Sequence, residues 1–273
     1  MYETIQYDVD EAEMIADITL DRPEQTNALS GELIGELTDA IETAEADDDV
    51  RVIILSGQGD NFSAGYDMGG SGHTGGVPTV DEQLDRFEEG TKHVHAVWEC
   101  NKPVLAAVEG YCLAGGSDLA MTCDQVIAAE GATFGYPGIR MGGVPPALIY
   151  PFVMNLHEAK ELLLSGKLVD AERASELGMV NRVVPADDLA ETVKREADEI
   201  KKVPGNGARI MKNILNGIAE SQGARPMFKY SEMFDVLGHQ TEYGKRYYEV
   251  AADSDFDTVL EYLNEQDKGM KPD

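Results

Sequence analysis

Basic residues are scarce in this chain. Its 273 residues include 22 Lys and Arg against 51 Asp and Glu, which gives a formal net charge of −29. Nucleic acids and anionic membrane surfaces both need clustered positive charge, so this balance argues against either as a partner. A strongly acidic surface keeps a protein hydrated at high salt, where charge repulsion is screened, and we interpret the composition as halophilic.

Long apolar runs and a disulfide framework are also missing. No stretch approaches the ~18 apolar residues of a membrane span, and the N-terminal MYETIQYDVDEAEM lacks the basic region and apolar core of a signal peptide. Cys100, Cys112 and Cys123 are odd in number, have no metal-like spacing and stand in or beside apolar runs. They are expected to be buried free thiols. We therefore predict a cytoplasmic protein with no metal site.

A strand, a glycine turn and a helix follow one another in VLAAVEGYCLAGGSD (104–118). Five apolar residues form a short strand, the chain breaks at Gly110, and it turns through Ala114, Gly115 and Gly116 into a run with helical spacing. Such a turn exposes backbone N–H groups at a helix N-terminus, where the peptide dipoles favour negative charge. Glycine removes the side chain that would keep a ligand from this backbone.

A second apolar strand ends in a similar turn. Residues 52–55 are followed by Ser56 and Gly57, and then by DNFSAGYDM (60–68). Two such turns can aim two backbone N–H groups at one point, which is the minimum for an oxyanion hole. The pair of turns therefore indicates a site that stabilises negative charge on an oxygen atom.

Short strands alternate with amphipathic helices along most of the chain. Residues 2–8 and 13–20 alternate apolar and polar side chains, which predicts an antiparallel hairpin. Ser30 is a suitable N-cap for a helix over 31–46. Strand-helix repeats followed by a helical tail predict an α/β core over 1–203 and a helical region over 204–273. Further strands are predicted at 125–128 and 132–134, and further helices at 81–100, 158–164, 170–177, 187–202, 208–220, 226–237 and 243–263.

Four blocks carry a resemblance to a known family. The segments LDRPEQTNAL (20–29), GDNFSAGYDM (59–68), AAVEGYCLAGGSDLAMTCD (106–124) and TFGYPGIRMGGVP (133–145) resemble, in order and spacing, the enoyl-CoA hydratase/isomerase (crotonase) superfamily. The resemblance implies a crotonase-like α/β spiral of ββα repeats, whose C-terminal helices pack on a neighbouring subunit in a homotrimer or hexamer. It also implies an enzyme that acts on acyl-CoA thioesters with no cofactor beyond the coenzyme A of the substrate.

The resemblance assigns roles to individual residues. The oxyanion donors would be the backbone amides of Tyr66 and Gly115, and Asp118 would be the acid or base. Lys268 and Lys271 would be candidates for contacts with the nucleotide phosphates. The residues expected to line the coenzyme A site are Gln25, Asn27, Ala28, Ala64, Asp67, Met68 and Gly69.

The acid/base pair departs from the family pattern. Hydratases of this family carry two glutamates, and their positions fall here on Asp118 and Gly138. The Asp118 carboxylate lies roughly 1.5 Å farther back than that of a glutamate, which is large against a hydrogen-bond range of about 2.6–3.2 Å. Gly138 supplies no acid or base. The residues that could replace the missing group are Glu109, Tyr136, Arg140, His73 and His93.

Several functions remain open on the sequence alone. The leading hypothesis is an enoyl-CoA hydratase, which adds water to a 2-enoyl-CoA. Isomerisation, hydrolysis or decarboxylation of an acyl-CoA would need only one carboxylate beside the oxyanion hole. A protein that binds acyl-CoA without turning it over is the alternative from another class, and it is motivated by Gly138.

Overall fold

The computed structural model describes residues 2–67, 78–204, 206–242 and 244–245. Strands and helices alternate along most of this length, as the pattern predicted. The strands are β1 (Ile5–Asp10), β2 (Ile15–Leu20), β3 (Val52–Gly57), β4 (Val104–Val108), β5 (Tyr111–Leu113), β6 (Gln125–Ala129), β7 (Thr133–Gly135), β8 (Leu168–Asp170) and β9 (Arg182–Val184). The helices are α1 (Gly31–Ala46), α2 (Val80–Gly90), α3 (Lys92–Glu99), α4 (Gly115–Thr122), α5 (Tyr150–Val153), α6 (Leu156–Ser165), α7 (Ala171–Leu177), α8 (Leu189–Lys201), α9 (Gly207–Ser221) and α10 (Ala224–His239).

Two sheets organise the core. Six strands form the larger sheet in the order β1-β2-β3-β4-β6-β9. The predicted hairpin of β1 and β2 is antiparallel, and the remaining pairs of this sheet are parallel. The smaller sheet has the order β5-β7-β8. Parallel neighbours align the carboxyl ends of β3 and β4 at one edge, which is where open α/β sheets bind ligands.

Side chains of the central strands are buried on both faces of the larger sheet. Ile53 and Leu55 pack into the main core with Leu33 and Leu37 of α1. Ile54, on the opposite face, packs into a second cluster that α8 covers. Burial on both faces explains why these strands read as continuous apolar runs. It also makes the sheet a rigid base for the turns that follow it.

The helix over 31–46 is confirmed with its predicted cap. The amide of Leu33 donates to the Ser30 hydroxyl oxygen at 3.2 Å, so the Ser30 side chain satisfies one of the unpaired first-turn amides. The apolar positions of α1 face the main core, as the spacing predicted.

The prediction of one helix over 81–100 is wrong, because two helices occupy this span. Helix α2 starts at Val80 behind a Thr79 cap, and the break falls at Thr91 after Gly90. The Thr91 hydroxyl donates to the carbonyl of Phe87 at 2.8 Å. This side-chain bond to the preceding turn bends a helix, and glycine beside it lowers the cost of the break.

The C-terminal region is helical, as predicted, through α9 and α10. The predicted helix at 243–263 lies outside the described residues, and the domain division at residue 203 stays a prediction. One face of α9 anchors the helix, because the Lys212 ammonium is buried and forms an ion pair with Asp124 at 2.7 Å. The opposite face is apolar and each of its members is 49% to 58% exposed: Ile210, Met211, Ile214, Leu215 and Ile218. Exposed apolar patches of this kind mark interaction sites.

Two further sequence predictions can be compared with the structure. The three cysteines are free thiols, with Cys100 and Cys112 buried and Cys123 half-buried. Within the described ranges, none of the helices is long and apolar enough to cross a bilayer.

Candidate active site

The turns that follow β3 and β4 are joined by backbone hydrogen bonds. The amide of Phe62 donates to the carbonyl of Glu109 at 2.8 Å, and the amide of Ser63 donates to that of Tyr111 at 2.9 Å. The amide of Leu113 returns a bond to the carbonyl of Ser63 at 2.9 Å. The two turns are therefore fixed against each other, because each is bonded to the other along several residues.

The closest approach of the two turns needs glycine. Gly65 has a φ of +104°, a conformation that side chains disfavour. A Cβ atom placed on Gly65 would lie 2.8 Å from the Cβ of Ala114 and 3.2 Å from the nitrogen of Gly115. Both distances are too short for a side chain, so glycine at this position allows the second turn to reach the start of α4.

The two amides predicted to act as oxyanion donors are unpaired. Within the described ranges, the N–H groups of Tyr66 and Gly115 donate to no backbone or side-chain acceptor. Gly115 is the first residue of α4, where helix geometry leaves the amide free. The preceding Ala114 has φ +48° and ψ −122°, a conformation that costs a non-glycine residue about 1–3 kcal/mol. This strained residue forms the turn that leads into the free amide.

Asp118 is completely buried one turn into α4. Its exposure is 0%, and neither carboxyl oxygen has a hydrogen-bond partner in the described part of the chain. Burial raises the pKa of Asp118 well above its usual range, the nearby Tyr150 hydroxyl opposes the shift, and the charge of Asp235 adds to it. A raised pKa favours the protonated carboxyl, which can donate a proton as well as accept one.

The space beside Gly138 is filled by an aromatic ring. A Cβ atom placed on Gly138 would lie 2.7 Å from Cε1 of Tyr136. The Tyr136 hydroxyl donates to the carbonyl of Val144 at 3.0 Å, which holds the ring in place. The missing glutamate has therefore left no vacant space, because Tyr136 occupies the volume that its side chain would enter.

Two more uncharged polar side chains lie beside the start of α4. The ring of Tyr66 packs over Gly115, since a Cβ there would lie 2.6 Å from Cε2 of the tyrosine. His93 of α3 meets this ring edge-on, with the centroids 6.2 Å apart. Burial lowers the pKa of His93 to about 3, and His95 adds to the effect, so the imidazole is neutral at physiological pH. In the described structure, the Tyr66 hydroxyl and both His93 ring nitrogens are buried without a hydrogen-bond partner.

Helix α10 places a second carboxylate close to this site. Asp235 is 3% exposed, accepts a hydrogen bond from the amide of Val144, and pairs with Nδ1 of His239 at 3.1 Å. Its charge raises the pKa of Tyr66 and of Asp118. Asp235 thus connects the C-terminal region to the loop after Tyr136.

The described residues predicted to line the coenzyme A site lie on two adjoining segments, 25–28 and 64–67. The amide of Ala64 donates to the carbonyl of Thr26 at 3.0 Å, and Arg22 forms an ion pair with Asp67 at 2.8 Å. Asn27 is 0% exposed and donates from its side-chain amide to the carbonyls of Gln58 and Asn61. Its side chain therefore fixes the loop and does not face solvent. Gln25 is exposed and Ala28 half-buried on the same loop.

The structure separates the residues considered as replacements for the second glutamate. It places Tyr136 within electrostatic reach of Asp118, and His93 against the ring of Tyr66. It leaves Glu109 exposed, and the Nε of Arg140 donates to the carbonyl of Ser165, at the end of α6. The predicted residues that lie outside the described ranges are Met68, Gly69, His73, Lys268 and Lys271.

Comparison with known proteins identifies the family of this chain. The sequence model of the family "Enoyl-CoA hydratase/isomerase" matches residues 10–256. The chain belongs to this family. A probable enoyl-CoA hydratase of Mycobacterium bovis is 35% identical over 229 residues, which cover 81% of this chain and 84% of the relative. The fold is shared with solved structures of an enoyl-CoA hydratase/isomerase from Xanthobacter autotrophicus and an enoyl-CoA hydratase from Mycobacterium smegmatis. The first is 34% identical with a TM-score of 0.90, covering 97% of this chain and 99% of the other. The second is 30% identical with a TM-score of 0.88, covering 97% and 94%.

Membership of the enoyl-CoA hydratase/isomerase family confirms the predicted superfamily and its crotonase fold. Sequence reasoning missed two residues beside Asp118. Tyr150, whose hydroxyl donates to Ser117 at 3.0 Å, lies in an apolar stretch that gave no signal. Asp235 lies on the helix predicted over 226–237, but His239 lies beyond its predicted end. The observed α10 extends to His239, so the two residues stand four apart and can pair on one face.

Proposed function

We propose that this member of the enoyl-CoA hydratase/isomerase family binds an acyl-CoA with its thioester oxygen between the amides of Tyr66 and Gly115. The observation that carries the proposal is the pair of unpaired amides on two turns in direct contact. Donors fixed before the reaction stabilise negative charge without reorganising, and loss of one typically lowers the rate about 10²–10³-fold.

Asp118 is the proton carrier in the proposed reaction, which is hydration of a 2-enoyl-CoA. Its raised pKa supplies a protonated carboxyl in a buried site. As water adds to the β carbon, electron density moves onto the thioester oxygen to form an enolate. Asp118 gives its proton to the α carbon and receives one from the attacking water. The carboxyl is regenerated, and the atoms of water are divided between the two carbons.

Isomerisation of an enoyl-CoA is the second candidate. It is favoured because Asp118 is a carboxyl without a partner in the described structure, whereas the neighbouring Asp235 is engaged with Val144 and His239. One carboxyl suffices, because as the carboxylate it removes a proton from one carbon and as the acid it returns that proton to another. No activated water is needed for that reaction.

The same proposal includes the setting of the enzyme. We place it in the cytoplasm, with coenzyme A entering only as part of the substrate. The apolar face of α9 supports a homotrimer or hexamer, because burial against a neighbouring subunit would remove that surface from water.

The test is an assay at high salt with crotonyl-CoA and, separately, with a 3-enoyl-CoA. Loss of the enoyl absorbance of crotonyl-CoA would support hydration, and conversion of the 3-enoyl to the 2-enoyl ester would support isomerisation. Asp118→Asn should abolish either reaction. The matched control is Asp187→Asn, on an exposed turn. Binding of acyl-CoA with no turnover of any ester would instead favour a binding protein.

A further inference from the structure

Three buried polar groups surround the start of α4 and have no hydrogen-bond partner in the described structure. They are the hydroxyl of Tyr66, the imidazole of His93 and the carboxyl of Asp118. Buried polar atoms are almost always satisfied, and each exception calls for a water, an ion or a ligand group. Three exceptions at one place therefore indicate a site whose polar occupant is absent from the chain itself.

The Tyr66 ring links the three groups. The Tyr66 ring packs over Gly115, and His93 meets the same ring edge-on at 6.2 Å. Asp118 lies three residues after Gly115 on α4, a spacing that puts both on one face of the helix. Since the Tyr66 hydroxyl and the His93 ring nitrogens have no partner in the described structure, a ligand oxygen beside the paired rings could accept and donate hydrogen bonds.

We propose, on the basis of the proposed acyl-CoA function, that Tyr66 and His93 form a specificity site for an uncharged oxygen on the acyl group. That oxygen would be a hydroxyl or carbonyl beyond the thioester. The Tyr66 ring packs over Gly115, so an acyl group whose thioester oxygen accepts from the two amides would lie beside this ring and its hydroxyl. A purely hydrocarbon acyl group would leave both side chains unsatisfied.

The electrostatic setting selects a neutral oxygen over a carboxylate. The charged groups that act on Tyr66 are acidic, namely Asp235 and Glu232, because burial keeps Asp118 protonated. His93 is held neutral by burial, so it adds no positive charge. A negatively charged acyl group would enter this field without compensation, and we expect it to be excluded.

The test compares binding of acyl-CoAs matched in size. The probes are butyryl-CoA, 4-hydroxybutyryl-CoA and succinyl-CoA, together with benzoyl-CoA and 4-hydroxybenzoyl-CoA, measured by calorimetry at fixed salt. In at least one pair, the hydroxylated ester should bind about tenfold more tightly than its parent, which corresponds to about 1.4 kcal/mol. Succinyl-CoA should bind more weakly than butyryl-CoA.

Variants show whether the two side chains are responsible. Tyr66→Phe keeps the ring, and His93→Leu keeps the volume of the side chain. Each should bring the ratio of the affinities for the hydroxylated ester and its parent toward one. Tyr111→Phe, which alters an exposed tyrosine, should leave the ratio unchanged. The inference is overturned if neither hydroxylated ester gains affinity, or if the gain survives in both variants. If no acyl-CoA binds at all, the proposed function fails before this question arises.

Discussion

Replacement of Asp118 by asparagine should stabilise this protein while it abolishes catalysis. The carboxyl is buried without a hydrogen-bond partner in the described structure, and its pKa is raised. Asparagine has nearly the same shape and never ionises. Removal of the proton carrier should lower turnover by about 10²–10⁴-fold, the usual contribution of a positioned acid or base.

Asp118 makes the stability of the wild type depend on pH. Below the pKa of an unfolded aspartate, near 3.9, both states are protonated and the carboxyl does not alter stability. As the pH rises, the unfolded chain ionises Asp118 while the folded chain keeps its proton, so the wild type loses up to about 1.4 kcal/mol per pH unit. This loss continues up to the raised pKa of the folded state, and the asparagine variant does not suffer it.

Asparagine bears a burial cost similar to that of the protonated carboxyl, so the expected gain comes from the raised pKa alone. A rise of one unit in pKa corresponds to about 1.4 kcal/mol, and the pKa of Asp118 is well above its usual range, so Asp118→Asn should be about 2 kcal/mol more stable than wild type at pH 8. The corresponding rise in Tm is about 4–8 °C for a domain of this size. The difference should shrink as the pH falls toward 5.

Urea denaturation at pH 5 and pH 8, with fixed salt and protomer concentration, measures the effect. Asp187→Asn, on an exposed turn, should show no pH-dependent difference from wild type. A variant at Asp118 that is less stable than wild type at pH 8 would refute the reasoning. So would a difference of equal size at both pH values, because either result would mean that the folded protein stabilises the charged carboxylate.

Three further substitutions test the packing around the site. Gly138→Glu should not create hydratase activity and should lower the free energy of unfolding by about 1–3 kcal/mol, because the ring of Tyr136 fills the space that the new Cβ would enter. Crotonyl-CoA hydration measures the activity, and urea denaturation measures the stability. Gly65→Ala should lower kcat/KM about 10²-fold by separating the two turns. Its control is Gly35→Ala, at an exposed helix position with no neighbour within 4 Å, which should keep activity and raise the free energy of unfolding by about 0.5–1 kcal/mol. Lys212→Met should cost about 1–3 kcal/mol, because it removes the partner of the partly exposed Asp124 carboxylate and the ammonium's hydrogen bonds to two backbone carbonyls.

The outcomes that would contradict these expectations are specific. Faster hydration by the Gly138 variant would mean that the ring moves aside readily. Wild-type kcat/KM in the Gly65 variant would mean that contact between the turns is dispensable. For the ion pair, the double variant Lys212→Met/Asp124→Asn should recover part of the stability that Lys212→Met loses. If it recovers none, the lost stability comes from packing of the lysine side chain and not from the ion pair.

Much of the fold was predictable because local patterns and tertiary environment agreed. Apolar runs at 52–55 and 104–108 became parallel strands buried on both faces, and Ser30 capped α1 as its position predicted. The prediction failed between Phe87 and Thr91, where a side-chain hydrogen bond to the preceding turn interrupts a periodicity that continues through it. Short strands such as β5 and β9 were missed, since three residues carry little periodic signal.

The sequence alone determined the order of the blocks, the two glycine turns and the absence of a glutamate at position 138, because these are properties of neighbouring residues. Only the tertiary structure decided what surrounds Asp118. Tyr136 fills the space beside Gly138, His93 arrives from α3, and Asp235 comes from a helix far along the chain. Burial, and the protonation that follows from it, depend on packing between distant segments, and no local pattern records that packing.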